Sequence, residues 1–155
     1  MASETDRIEK QILLRAPRSL VWRALTDAKE FGTWFGADLD ESFAPGARVR
    51  GKVTHPGYEH VKFEITIERM EAERLFSFRW HPAAVEVGVD YSSEPTTRVI
   101  FELTETTGGT MLTVTESGFD RIPPGRRAQA YRLNDEGWTE QMKSIERHLA
   151  KVHQR

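Results

Sequence analysis

Between residues 37 and 119 hydrophobic and polar positions alternate with a period of two. Val61, Phe63, Ile65 and Ile67 are interleaved with Lys62, Glu64, Thr66 and Glu68. Phe76, Phe78 and Trp80 alternate likewise, as do Val99, Phe101 and Leu103. That period gives a β-strand one apolar face and one wet face. It predicts strands over 37–43, 47–54, 59–71, 74–80, 96–105 and 110–118. Pro45-Gly46, His55-Pro56-Gly57 and Gly108-Gly109 mark turns. Short links between one-sided strands make an antiparallel meander.

A further strand is predicted at 8–15, with Ile8, Ile12 and Leu14 on one face. Ala16-Pro17 interrupts it, and proline suits the first position of a helix, where its missing N–H would be unpaired anyway. Leu20, Val21, Ala24 and Leu25 follow at helical spacing, and this first helix stops near Asp27. Asp27 and Glu30 form a capping-box-like pair for a second short helix. Phe31, Trp34 and Phe35 share its face, and Gly36 ends it.

Residues 134–152 form the last predicted helix. Its large apolar residues, Trp138, Met142, Ile145, Leu149 and Val152, are spaced four, three, four and three. At roughly 1.5 Å per residue that is a single stripe along about 27 Å. An antiparallel sheet with one apolar face must be covered, and only this helix is long enough to do it. The stripe is narrow for a core helix, and Gly137, Gln141, Ser144 and His148 beside it are small or polar. A strongly twisted sheet need not close on so thin a stripe everywhere, which leaves room for a cavity between sheet and helix that spacing alone does not establish. Residues 81–95 read as a long connection, either an extended hairpin arm or a lid. Residues 120–133 read as another, stiffened by Pro123-Pro124-Gly125, with Tyr131 pointing inward.

At 155 residues the chain holds one domain, 8–152, after a flexible N-terminus at 1–7. Twenty-two Lys and Arg against 24 Asp and Glu give a net charge of −2, which argues against a nucleic-acid partner. No apolar run reaches the roughly 20 residues a membrane span needs, and MASETDRIEKQ lacks the apolar core of a signal peptide. A soluble, cytoplasmic protein without a membrane partner is expected. The absence of cysteine excludes thiol catalysis, disulfides and thiolate metal sites.

The opening stretch IEKQILLRAPRSLVWRALTDAKEFGTWFG resembles that of the heat-shock-protein-90 ATPase activator homologue-like family, in the START-like (SRPBCC) superfamily. Ala16-Pro17, Val21-Trp22, Leu25-Thr26-Asp27 and Trp34-Phe35 carry the resemblance. GTMLTVTESGF at 109–119 and Gly137-Trp138 extend it, so that it covers about 8 to 152. It implies an α+β helix-grip fold. In that fold a seven-stranded curved antiparallel sheet wraps a long C-terminal helix over a hydrophobic cavity, with two short helices after the first strand. Relatives include lipid and small-molecule carriers, polyketide cyclases, hormone receptors and co-chaperone domains. The family has no universal catalytic motif to carry over, and fold alone does not fix function.

The candidate chemistry is sparse. His55, His60, His81, His148 and His153 show no metal-ligand spacing, so no metal or other cofactor is expected. Arg79, and the stripe of Arg48, Arg50 and Lys52, read as solvated outer-face charges. Glu116 is different: it alternates with Leu112 and Val114 and so falls on the apolar face. Burying a lone carboxylate costs several kcal/mol or shifts its pKa. Glu116 therefore lies at an exposed strand end, pairs with an arginine, or meets a ligand. The aromatics Trp34, Phe63, Phe78, Trp80, Phe101 and Trp138 should converge with it, and Met142 lies on the same helical stripe as Trp138. These eight residues form the candidate ligand site. The leading expectation is a non-enzymatic binder of a small hydrophobic molecule. Two alternatives stand beside it: a polyketide-cyclase-like or hydrolase-like enzyme using a pocket carboxylate, and a co-chaperone-like interaction module. A homodimer is left open.

Overall fold

The period-two alternation becomes one sheet of seven strands, every neighbouring pair antiparallel. The computed structural model describes residues 6–86 and 88–153. In chain order it contains β1 (Arg7–Leu14), α1 (Arg18–Thr26), α2 (Ala28–Phe35), β2 (Ala37–Leu39), β3 (Arg48–Val53) and β4 (Lys62–Glu71). Then follow β5 (Leu75–Trp80), β6 (Thr97–Thr106), β7 (Gly109–Ser117), a 3-10 turn at Phe119–Arg121 and α3 (Pro124–His153). The strands lie in the order β1-β7-β6-β5-β4-β3-β2, so the first strand closes against the last. On the inner face Val99, Phe101 and Leu103 of β6 and Leu112, Val114 and Glu116 of β7 are buried. A register shift between Ile67 and Arg69 of β4 marks a bulge, which adds local twist.

Asp27 joins the two short helices by serving both. Its N–H donates to Arg23 O and closes α1, while its carboxylate accepts from Glu30 N and opens α2. The expected capping pair is thus half formed. Glu30 turns elsewhere, accepting from Arg23 Nε at 3.0 Å and from His148 Nε2 at 2.8 Å. Gly36, at φ 95°, ends α2 in the left-handed region. Strand β2 stops at Leu39 rather than at 43, because the chain leaves the sheet there and Phe43 turns into the core. Glycine makes room for this short edge: a Cβ at Gly51 would lie 2.0 Å from Asp38 O.

The last helix is longer than its stripe implies, beginning at Pro124 instead of 134. The Pro123-Pro124-Gly125 run reads as a loop in the sequence, yet Pro124 occupies the first helical turn, where proline is tolerated. Pro123 O accepts the N–H groups of Arg126 and Arg127. Of the stripe, Trp138, Met142, Ile145 and Leu149 are buried and Val152 is half-buried. Tyr131 donates to Arg7 O at 3.0 Å and packs edge-on to Phe119. At the N-terminus residues 1–5 lie outside the described residues, while Arg7 already pairs with Ser117 and Asp6 O accepts from Gly118 N. Arg48 and Arg50 are exposed and pair with Glu64, and Arg79 pairs with Glu68. Truncating Leu149 to Ala should cost about 2–5 kcal/mol, as core leucine truncations do. Urea denaturation checks this, with an unchanged midpoint as the contrary result.

Candidate functional site

The polar flank of the last helix fastens it to the end of α2. The last carbonyls of a helix have no partner within it, and here α3 supplies them. Gln141 Nε2 donates to Phe35 O at 2.8 Å, and Ser144 Oγ donates to Trp34 O at 2.5 Å. One turn further on, His148 reaches Glu30. Gln141 of this seam and Trp138 beside it both border an opening.

Glu116 lies beneath that opening and is fully buried. Trp80 sits opposite Thr97, and Val99 opposite Glu116, so the β5-β6-β7 register gathers these side chains at one point. Oε2 accepts from Trp80 Nε1 at 2.8 Å, Thr97 Oγ1 at 2.5 Å and Asn134 Nδ2 at 3.0 Å. Oε1 accepts from Trp138 Nε1 at 2.8 Å and Asn134 Nδ2 at 2.9 Å. Asn134 and Trp138 stand one turn apart on α3 and therefore face the same way. The partners are neutral donors, not the arginine that the sequence left as one option. Burial pushes the Glu116 carboxyl above its ordinary range, and the bonds from Thr97, Trp80, Trp138 and Asn134 oppose that shift.

The two tryptophans so anchored stack, with ring centroids 5.7 Å apart and planes inclined by 28°. They wall an inner opening of about 160 Å³ together with Phe35, Asn134, Gly137 and Gln141. An outer opening of about 240 Å³ shares Phe35, Trp80 and Asn134 with it and adds Val53, Phe63, Tyr91, the charged Lys62 and Glu64, and residues 61, 81 and 83–85. Of the eight candidate residues, Phe63, Trp80 and Trp138 border these spaces. Phe78, Phe101 and Met142 are packed in the core, and Trp34 is buried with its indole donating to Ala24 O at 2.7 Å. Glu116 touches the walls from behind. A larger groove of about 640 Å³ lies between α2 and β2, but Asp27, Asp38, Asp40 and Glu41 line it and aromatic residues do not.

The described residues of the 81–95 connection, 81–86 and 88–95, form neither strand nor hairpin arm, and residues 81, 83–85 and 91 border the outer opening. Arg126 of α3 holds most of the connection. Its guanidinium donates to Pro82 O at 2.9 Å and Ala83 O at 3.2 Å, pairs with Glu94 at 2.6 Å, and lies 4.7 Å from the centroid of Tyr91. His60 donates to Val85 O and His81 to Glu94 O. Ala83 has a φ of 51°, a conformation costing about 1–3 kcal/mol for a residue with a side chain. Sequence reading missed Arg126 and Asn134. Both lie in or beside the stretch taken for a connection, and only their position across from other elements distinguishes them. Among the described residues no three His, Asp or Glu side chains group as metal ligands. No helix among them is long and apolar enough to cross a membrane.

A curved antiparallel sheet gripping a long C-terminal helix defines the helix-grip class, which solved structures share. A Mesorhizobium loti protein, MLL2253, superposes with a TM-score of 0.74 at 23% identity, over 94% of this chain and 97% of that one. A protein from Arthrobacter aurescens gives 0.78 at 18% identity, over 96% and 88%. DynU16, from the dynemicin biosynthetic locus, gives 0.71 at 28% identity over 94% of this chain and 47% of its own. The family described as Activator of Hsp90 ATPase homolog 1-like protein matches residues 15–150, and the chain belongs to that family. Comparison with curated proteins gives no match.

The raised pKa of Glu116 sets the sign of a pH effect. The folded state keeps this proton to higher pH than the unfolded state, so stability from this group is greatest in acid and declines as pH rises through the interval between the two values. In denaturation series from pH 4 to 8, wild type minus Glu116→Gln should therefore shrink with rising pH. A difference that grows would mean that the donors outweigh burial.

Proposed function

We propose that this protein binds a small hydrophobic molecule in the opening between Trp138 of α3, Trp80 of β5 and Phe35 of α2. Gly137 carries the reading. It sits inside a helix, where glycine costs about 1 kcal/mol relative to alanine. A Cβ built there meets no atom within 4 Å, so no neighbour requires the glycine. It lies on the inner opening, where a side chain would take up the space. Aromatic walls with a few polar groups are how small-molecule sites are built, and members of this family commonly bind hydrophobic ligands. DynU16's biosynthetic locus agrees with a small-molecule role.

In this reading Phe63, Trp80 and Trp138 contact the ligand, and Glu116 positions the two indoles without touching it. A general base must come within hydrogen-bond reach of a substrate proton. The Glu116 oxygens already face Trp80, Thr97, Asn134 and Trp138, which weighs against the cyclase-like or hydrolase-like alternative. The family's description turns attention to protein partners, which a contiguous exposed apolar patch would support. The exposed large hydrophobics among the described residues, Leu13, Tyr58 and Val89, lie on three separate segments.

Naphthalene, an uncharged apolar probe, should quench or shift tryptophan emission and raise the melting temperature as its concentration rises. Gly137→Phe should lose both responses while keeping its far-UV circular dichroism and a melting temperature at or above wild type. A response that persists in Gly137→Phe would sink the proposed location.

A further inference from the structure

The polar atoms of the inner opening are already sorted by what they bond, and the sorting bears on ligand class. Both indole N–H groups are engaged by Glu116. Asn134 turns its amide nitrogen to both carboxylate oxygens, at 2.9 and 3.0 Å, and the reversed amide would set oxygen against oxygen. Gln141 turns its amide nitrogen to Phe35 O, and the reversed amide is excluded there for the same reason. What the two side chains have left is Asn134 Oδ1 and Gln141 Oε1. No buried side-chain nitrogen or oxygen among the described residues lacks a partner. These two oxygens, which bond nothing among the described residues, are therefore not sealed in. They stand two helical turns apart on α3, about 10 Å at roughly 1.5 Å per residue, with Gly137 and Trp138 between them.

We infer that the inner opening selects apolar, aromatic ligands bearing an O–H or N–H donor and disfavours carboxylates and phosphates. The inference rests on the reading of this opening as a ligand site. Asn134 and Gln141 line it, each with a carbonyl acceptor left over, and no cation does; Lys62 lies on the adjoining outer opening, where Glu64 accompanies it. An anion entering would lose its hydration and meet oxygen atoms. A hydroxyl or amine would exchange a bond to water for a bond to Asn134 or Gln141, and the indole pair would stack on its ring. An ether of the same shape would fill the space but leave both acceptors unpaired.

The test compares naphthol, its methyl ether and naphthoate on the unaltered protein, with affinities read from tryptophan quenching. A single neutral hydrogen bond corresponds to a preference of about 3- to 10-fold. Naphthol should bind more tightly than the ether by that factor, with naphthoate weakest. In Gln141→Met the preference of naphthol over the ether should fall, and in Gln141→Met with Asn134→Leu it should vanish. The ranking in the unaltered protein decides the matter even where the double variant does not fold. Equal affinities, or naphthoate binding tightest, would overturn the donor rule and leave the pocket standing. No quenching by any of the three would overturn the pocket reading and the inference with it.

Discussion

One buried carboxylate ties three strands to the last helix. Glu116 projects from β7 and accepts hydrogen bonds from β5, β6 and α3. A carboxylate taken out of water without partners costs several kcal/mol or gives up its charge. The fold answers that cost with two indoles, a hydroxyl and an amide, all neutral. Burial raises its pKa, and the neutral donors offset that rise only in part. They also do what a salt bridge cannot, because each indole N–H that turns toward Glu116 fixes the plane of a large ring. The walls of the opening are thus oriented from behind.

The same economy runs along α3. Its narrow apolar stripe serves the sheet, and its polar flank serves the exposed end of α2. Gln141 and Ser144 satisfy carbonyls that α2 cannot bond itself. Gln141 of that flank and Gly137 one turn before it both line the inner opening. The opening thus lies where the polar flank of α3 meets its apolar stripe.

Much of this was legible in the sequence, for a physical reason. Alternation with period two and helical spacing are local properties, so the strands, the two short helices and the buried stripe could all be read. So could the anomaly of Glu116, a charged residue in phase with Leu112 and Val114. What alternation cannot report is which residue lies across a gap. That Trp80 stands opposite Thr97, and that Asn134 reaches Glu116, depends on register and on where α3 begins. The Pro123-Pro124-Gly125 run concealed that beginning, since proline and glycine mark loops in most contexts and the start of a helix in this one. The aromatics illustrate the same limit. Phe78 and Phe101 share the phase of Trp80 but belong to the core, because the sheet is covered at their level and open at its end.

The loop over the outer opening is held by side chains, and that has a kinetic consequence. A strand in its place would separate only with the sheet, whereas this loop has its own, smaller opening free energy. Its bonds converge on Arg126, with His60 and His81 adding one each. Loosening Arg126 would therefore free the loop while leaving every residue that lines the inner opening in place.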